Sequence, residues 1–152
     1  MKKFLLEADL HRIAQWLRFL GQDALLLSGP IEKRKLLKYL DRVFITTSRR
    51  LEGHLKAWDV DYFLLPRENW KVQLCLLIRY FGIKPELRLD RCYYCNEKLM
   101  SVDREKVKDR LPPLVYIYGR DFTLCPSCGK VYWKGSHHER LKSQLEEILK
   151  LC

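Results

Sequence analysis

No apolar run in this 152-residue chain approaches the roughly 20 residues of a membrane-spanning helix, so no membrane partner is expected. An N-terminal leader pattern, internal repeats and low-complexity tracts are also missing. That leaves one ordinary domain, or one compact domain with a small metal-stapled module. Asparagine and glutamine are scarce beside the many lysines, arginines and leucines, a weak thermophile signature. Acids are in deficit: 19 Asp and Glu face 29 Lys and Arg, a net charge of +10. Such a balance favours a polyanionic partner, most simply RNA or DNA, because Lys and Arg release condensed counterions from a phosphate backbone. The bland counterpart is a solvated basic surface.

What the chain does hold is a pair of Cys-x-x-Cys knuckles, Cys92-Tyr-Tyr-Cys95 and Cys125-Pro-Ser-Cys128-Gly129. Four thiolates so spaced can close a tetrahedral zinc site with Zn–S bonds of about 2.3 Å and no open position. A redox role for either knuckle would want a βαβ context around it. Instead the two flank a strand-like stretch at residues 114–118 and an Arg/Lys-rich segment, which fits a zinc ribbon better than a disulfide pair or idle thiols. Cys75 falls in an apolar helical run and reads as an inert core thiol, while Cys152 carries no pattern. Ligand spacing without a leader places the expected compartment in a reducing cytoplasm.

Ahead of the knuckles, short apolar runs alternate with helical periodicity. Strands are expected at residues 3–7, 23–27, 43–47 and 60–65. A first helix carries Leu10, Ile13, Ala14, Leu17 and Leu20 inward and stops at Gly21. A second, over residues 31–39, is basic and turns Leu36, Leu37 and Leu40 inward. Ser48 is placed to cap a third helix, and Asn69 a fourth that Gly82 ends. Ser136-His-His-Glu139 reads as a capping box before a final helix. Strands and helices in this alternation imply βαβ units and a mostly parallel sheet. The expected division is residues 1–87 and 88–152.

Ligands of open α/β sheets gather outside the carboxyl ends of the strands. Glu7 and Asp9 follow the first strand there, with Asp23 and Glu32 as further acids that could join a Mg²⁺ or Mn²⁺ site. The third strand ends in Thr46-Thr47-Ser48-Arg49-Arg50, hydroxyls and arginines without a carboxylate, which is the composition of a phosphate cradle. Arg12, on the first helix, is a further candidate for the nucleic acid. His137 reads as a packed or helix-start residue rather than a ligand, and the tyrosines of the cysteine module mostly as packing, with one or two free to stack on bases.

The segment from Phe4-Leu-Leu-Glu7 through Trp16-Leu-Arg18 to Gly21-Gln-Asp23 resembles the opening of the Mut-seven C-terminal RNase domain family. Arg42-Val-Phe-Ile-Thr-Thr-Ser48-Arg-Arg, Gln73-Leu74, both knuckles and Tyr132-Trp133-Lys-Gly135-Ser136-His137 are similar to its remaining signatures. The resemblance implies an α/β fold, a PIN-like domain whose mostly parallel sheet is flanked by helices, followed by a small four-cysteine zinc ribbon and a C-terminal helix. It also implies RNA cleavage or RNA binding. Where the family carries its first catalytic Asp this chain has Glu7, and where it carries the Asp after the third strand this chain has Ser48. A cluster so altered should hold divalent ions poorly. The expectation is an RNA-binding protein with weakened or lost endoribonuclease activity. The alternatives are an active Mg²⁺/Mn²⁺ endoribonuclease and a ribosome-associated structural protein, with tRNA or rRNA as the RNA.

Overall fold

A computed structural model describes residues 2–152. Four short strands, β1 (Phe4–Leu6), β2 (Ala24–Leu26), β3 (Val43–Thr46) and β4 (Tyr62–Leu64), pair in parallel in the order β2-β1-β3-β4. The helices are α1 (His11–Phe19), α2 (Lys33–Leu36), α3 (Glu52–Ala57), α4 (Trp70–Phe81), α5 (Pro113–Tyr118) and α6 (Ser136–Ile148). Because crossover helices cover both faces of a parallel sheet, its strands are apolar throughout, and residue parity decides which core each side chain enters. Phe4, Leu6, Val43 and Ile45 join Leu17, Leu74, Ile78 and Ile148 under α1, α4 and α6. Leu5 and Phe44 meet Leu36, Leu55 and Val60 under α2 and α3.

The chain leaves β1 toward β2 and then returns to β3 on the other side, so the strand order reverses between β1 and β3. Their carboxyl ends frame the crevice where such sheets take ligands. Asn69 caps α4 as expected, its Oδ1 accepting the N–H groups of Lys71 and Val72, and Gly82 ends that helix at φ 61°.

Four expectations are corrected. Leu37 and Leu40 are exposed, because the helix tightens after Leu36 into a 3₁₀ turn over Leu37–Tyr39 that carries them out of the buried stripe. Residues 114–118 are helical, not a strand: Pro113 fits the first helical turn, and Arg104 donates to the carbonyls of Tyr116, Ile117 and Gly119 at the other end. The ribbon's strands are β5 (Met100–Ser101), β6 (Thr123–Leu124) and β7 (Val131–Tyr132), an antiparallel trio beside the cysteines. The capping box does not form. Gly135 precedes α6 with no side-chain cap, and a Cβ there would come within 3.1 Å of the Trp133 indole nitrogen.

The fourth concerns Cys75 and Cys152, which are joined as a disulfide with Cα atoms 6.0 Å apart. α6 lays Leu145 and Ile148 on the α/β core, which brings the terminal residues to α4. The bridge spans 77 residues, and chain entropy gives a link of that length about 4.5 kcal/mol at most. Cys152→Ser is therefore expected to lower thermal stability by up to that amount, with reductant lowering the wild type equally and the variant not at all. Thermal denaturation with and without reductant checks it.

Candidate metal centre and nucleic-acid interface

Both knuckles fold alike. The N–H of Cys92 donates to the Glu97 carbonyl at 2.8 Å, and that of Cys125 to Lys130 at 2.9 Å. The residue after each second cysteine, Asn96 or Gly129, takes a left-handed conformation (φ 69° and 77°) and returns its N–H to the first cysteine's carbonyl. Glycine and asparagine are the residues that adopt this at low cost. All four Sγ atoms lie within 4.8 Å of one another. Cys92 and Cys128 are 3.8 Å apart and Cys95 and Cys125 3.2 Å, against an edge of about 3.8 Å for a tetrahedron with 2.3 Å metal–sulfur bonds. The donor set fits a soft tetrahedral cation.

Burial pushes the Cys92 thiol up, but hydrogen bonds from the Tyr132 hydroxyl and from backbone N–H groups outweigh it and bring it down to about 7. Cys95 goes the other way, pushed up to about 12 by burial and by its sulfur neighbours. Without a cation the cluster thus retains protons that a metal would displace. His137 is not among the clustered groups.

Two polar pins fasten the first knuckle to the α/β layer. Arg18, buried on α1, donates from Nε to the Ala24 carbonyl (2.8 Å) and from Nη1 to the carbonyls of Tyr93 and Tyr94 (2.8 and 3.1 Å). Asn96 accepts the Ala24 N–H and donates to Asp23, whose Oδ1 also receives Arg42 at 2.6 Å. Burial raises the Asp23 pKa, but the hydrogen bonds from Arg42 and Asn96 hold it below the ordinary carboxylate value. Its contribution is therefore full above about pH 4 and lost as pH falls through the lower folded value. Asp23→Asn is expected to cost about 2 kcal/mol at pH 7 and to flatten the acid limb of the stability curve, read by urea unfolding between pH 3 and 7.

The four candidate acids do not converge. Asp23 precedes β2, at the opposite edge of the sheet from Glu7, which follows β1, so the two cannot share an ion. Asp9 is exposed in the 3₁₀ turn Ala8–Leu10. Glu32 precedes α2 and holds Arg34 at 2.7 Å. Among the described residues, the cysteines form the only group of three or more His, Cys, Asp or Glu side chains close enough to share an ion.

Glu7, only 8% exposed, is turned across the crevice between β1 and β3. Its Oε1 accepts the Thr47 N–H (2.8 Å) and hydroxyl (3.0 Å), and its Oε2 accepts the Thr46 hydroxyl (3.1 Å). Thr46 Oγ1 in turn accepts the Ser48 N–H, so Ser48 follows the strand without forming the expected side-chain cap. Just beyond, an open groove of about 670 Å³ is lined by Thr47, Ser48, Arg49, Arg50 and, from the segment after β4, Arg67 and Glu68. Three arginines thus face one hollow. Arg67 is absent from the sequence reading, although β3 and β4 pair in parallel and the residues after Leu64 must lie beside those after Thr46. Arg12 stands apart, its guanidinium 5.1 Å over the Trp70 ring.

A parallel α/β sheet with a polar, cation-rimmed carboxyl edge, pinned to a four-cysteine module that fits a zinc ribbon, defines a class of protein. The family model described as the Mut7-C RNAse domain matches residues 2–145, and the chain belongs to that family. Membership supports a ribonuclease-like or RNA-binding role. No curated protein and no solved structure matches the chain. Among the described residues no helix is long and apolar enough to cross a membrane.

Proposed function

We propose that the chain binds RNA at the carboxyl edge of its sheet, with Ser48, Arg49, Arg50 and Arg67 on the phosphates and Thr47 holding Glu7 aside, and that metal-dependent cleavage is weakened or lost. The observation that carries this reading is the state of Glu7. Three hydrogen bonds from Thr46 and Thr47 hold its oxygens, and among the described residues it belongs to no group of three or more side chains that could share an ion. A divalent ion that activates water for phosphodiester hydrolysis needs several carboxylate oxygens free to coordinate. Arginine forks match phosphate oxygens instead.

The cysteines are read as a structural zinc site, since four thiolates leave no position for a substrate. A cytoplasmic location agrees with reduced knuckle thiols and with an RNA partner. The Cys75–Cys152 bridge is compatible with it in a hyperthermophile, where intracellular disulfides are common. The test is to assay one set of RNAs, single-stranded and structured (tRNA and rRNA fragments included), for both binding and cleavage with Mn²⁺. Binding that weakens steeply with salt, and no cleavage, is expected. Cleavage abolished by Glu7→Gln would establish a working nuclease and overturn the reading.

A further inference from the structure

Phe19 of α1 and Tyr93 of the first knuckle stack with ring centroids 5.2 Å apart. On one side of this pair lies a cavity of about 250 Å³ that also touches Lys130, Trp133 and His138. On the other, a hollow opens toward Arg12 and Trp70. The two share Phe19, Tyr93, His137 and Leu141, so they form one track across the seam between the α/β layer and the ribbon. Cations ride on its aromatic faces: Arg12 lies 5.1 Å and Lys71 5.8 Å from the Trp70 ring centroid, and Lys130 lies 4.7 Å from that of Tyr93. Arg67, which lines the arginine groove, and Trp70, which lines the track, are three residues apart in the chain.

We propose that this track carries single-stranded RNA onward from the groove and that the cavity between the two modules receives one unstacked base. The proposal rests on the RNA-binding reading and names the form of RNA. A basic path interleaved with aromatic faces is how single strands are held, the cations following the backbone while rings stack on rings. A duplex keeps its base faces covered and cannot use such a path. The cavity falls below the roughly 300–1,000 Å³ of pockets that bury drug-sized ligands, which suits one ring system. Its wall is not that of a simple packing defect. Both ring nitrogens of His138 are buried without a partner, and Lys130, hydrogen-bonded to the Tyr93 hydroxyl at 2.6 Å, adds a positive rim. With a turn of the imidazole, the polar edge of a base would give His138 the partner it lacks.

The test uses the full chain and a single-stranded RNA of about ten nucleotides carrying one 2-aminopurine. Ser136→Trp places an indole into the cavity from an exposed position at the start of α6, and Tyr93→Leu removes the stacking face. Quenching of the 2-aminopurine by the wild type, and about tenfold weaker binding by each variant, are expected. A duplex of the same length should bind all three proteins equally. Metal content and the thermal transition report whether each variant is folded, and Ser136→Trp alone decides the matter if Tyr93→Leu is not. Equal binding by the wild type and the folded variants, with no quenching, overturns the cavity while leaving the groove intact. Failure of the wild type itself to bind overturns both.

Discussion

A chelator that strips the cation from the four thiolates is expected to melt the ribbon while the α/β layer stays folded. The module has little else to hold it: its own core is Val107, Leu111 and Phe122 with a few half-buried neighbours. Structural zinc supplies about 10–16 kcal/mol of apparent binding free energy in small zinc modules at neutral pH, far more than so small a core can contribute. The α/β layer by contrast rests on two apolar clusters that the ribbon's strands do not enter. Loss of metal would still be felt there, because Arg18 and Asn96 would lose the partners that pin the knuckle to β2. Hydrogen exchange followed during chelation should show protection lost at β5, β6 and β7 and retained at β1 and β3. Cys92→Ser should reproduce the loss without chelator. Unchanged exchange in the ribbon after full metal removal would contradict the structural role.

The triple substitution Arg49→Ala, Arg50→Ala, Arg67→Ala is expected to weaken RNA binding about a hundredfold near physiological salt. That follows from about 1 kcal/mol for each exposed arginine–phosphate contact. The salt dependence should change with it. Each neutralised phosphate contributes about −0.7 to the slope of log K against log salt on a single strand, so removing three contacts flattens the slope by about 2. Fluorescence anisotropy across a salt series reads both quantities on one RNA. Substituting Lys33, Arg34 and Lys35, which cluster on α2 and do not line the groove, controls for net charge and should leave the slope nearly intact. Equal losses from the two triples would mean that charge alone, not the groove, holds the RNA.

Features set by local chemistry were legible in the sequence. The four cysteines declare themselves by spacing, Asn69 and Gly82 by their places at the ends of an apolar helix, and the parallel sheet by strands alternating with helices. Features set by distant partners were not. Asp23 reads as a candidate ligand until Arg42 and Asn96 arrive from 19 and 73 residues away to claim it. Glu7 reads as a free acid until Thr46 and Thr47, about forty residues on, close over it. The aromatic and β-branched composition of residues 114–118 argued for a strand, and only the Pro113 start and the Arg104 contacts at the far end decide for a helix. Cys152 meets Cys75 because α6 crosses back over α4, a tertiary event that no periodicity announces.

Crystals soaked in manganese, read by anomalous scattering at the carboxyl ends of β1 and β3, put the question most directly. Expected is no ordered ion beside Glu7, whose oxygens remain with Thr46 and Thr47. A well-occupied manganese there, ligated by Glu7 together with other carboxylates, would mean that the edge still gathers cations and that the anion-binding reading is wrong.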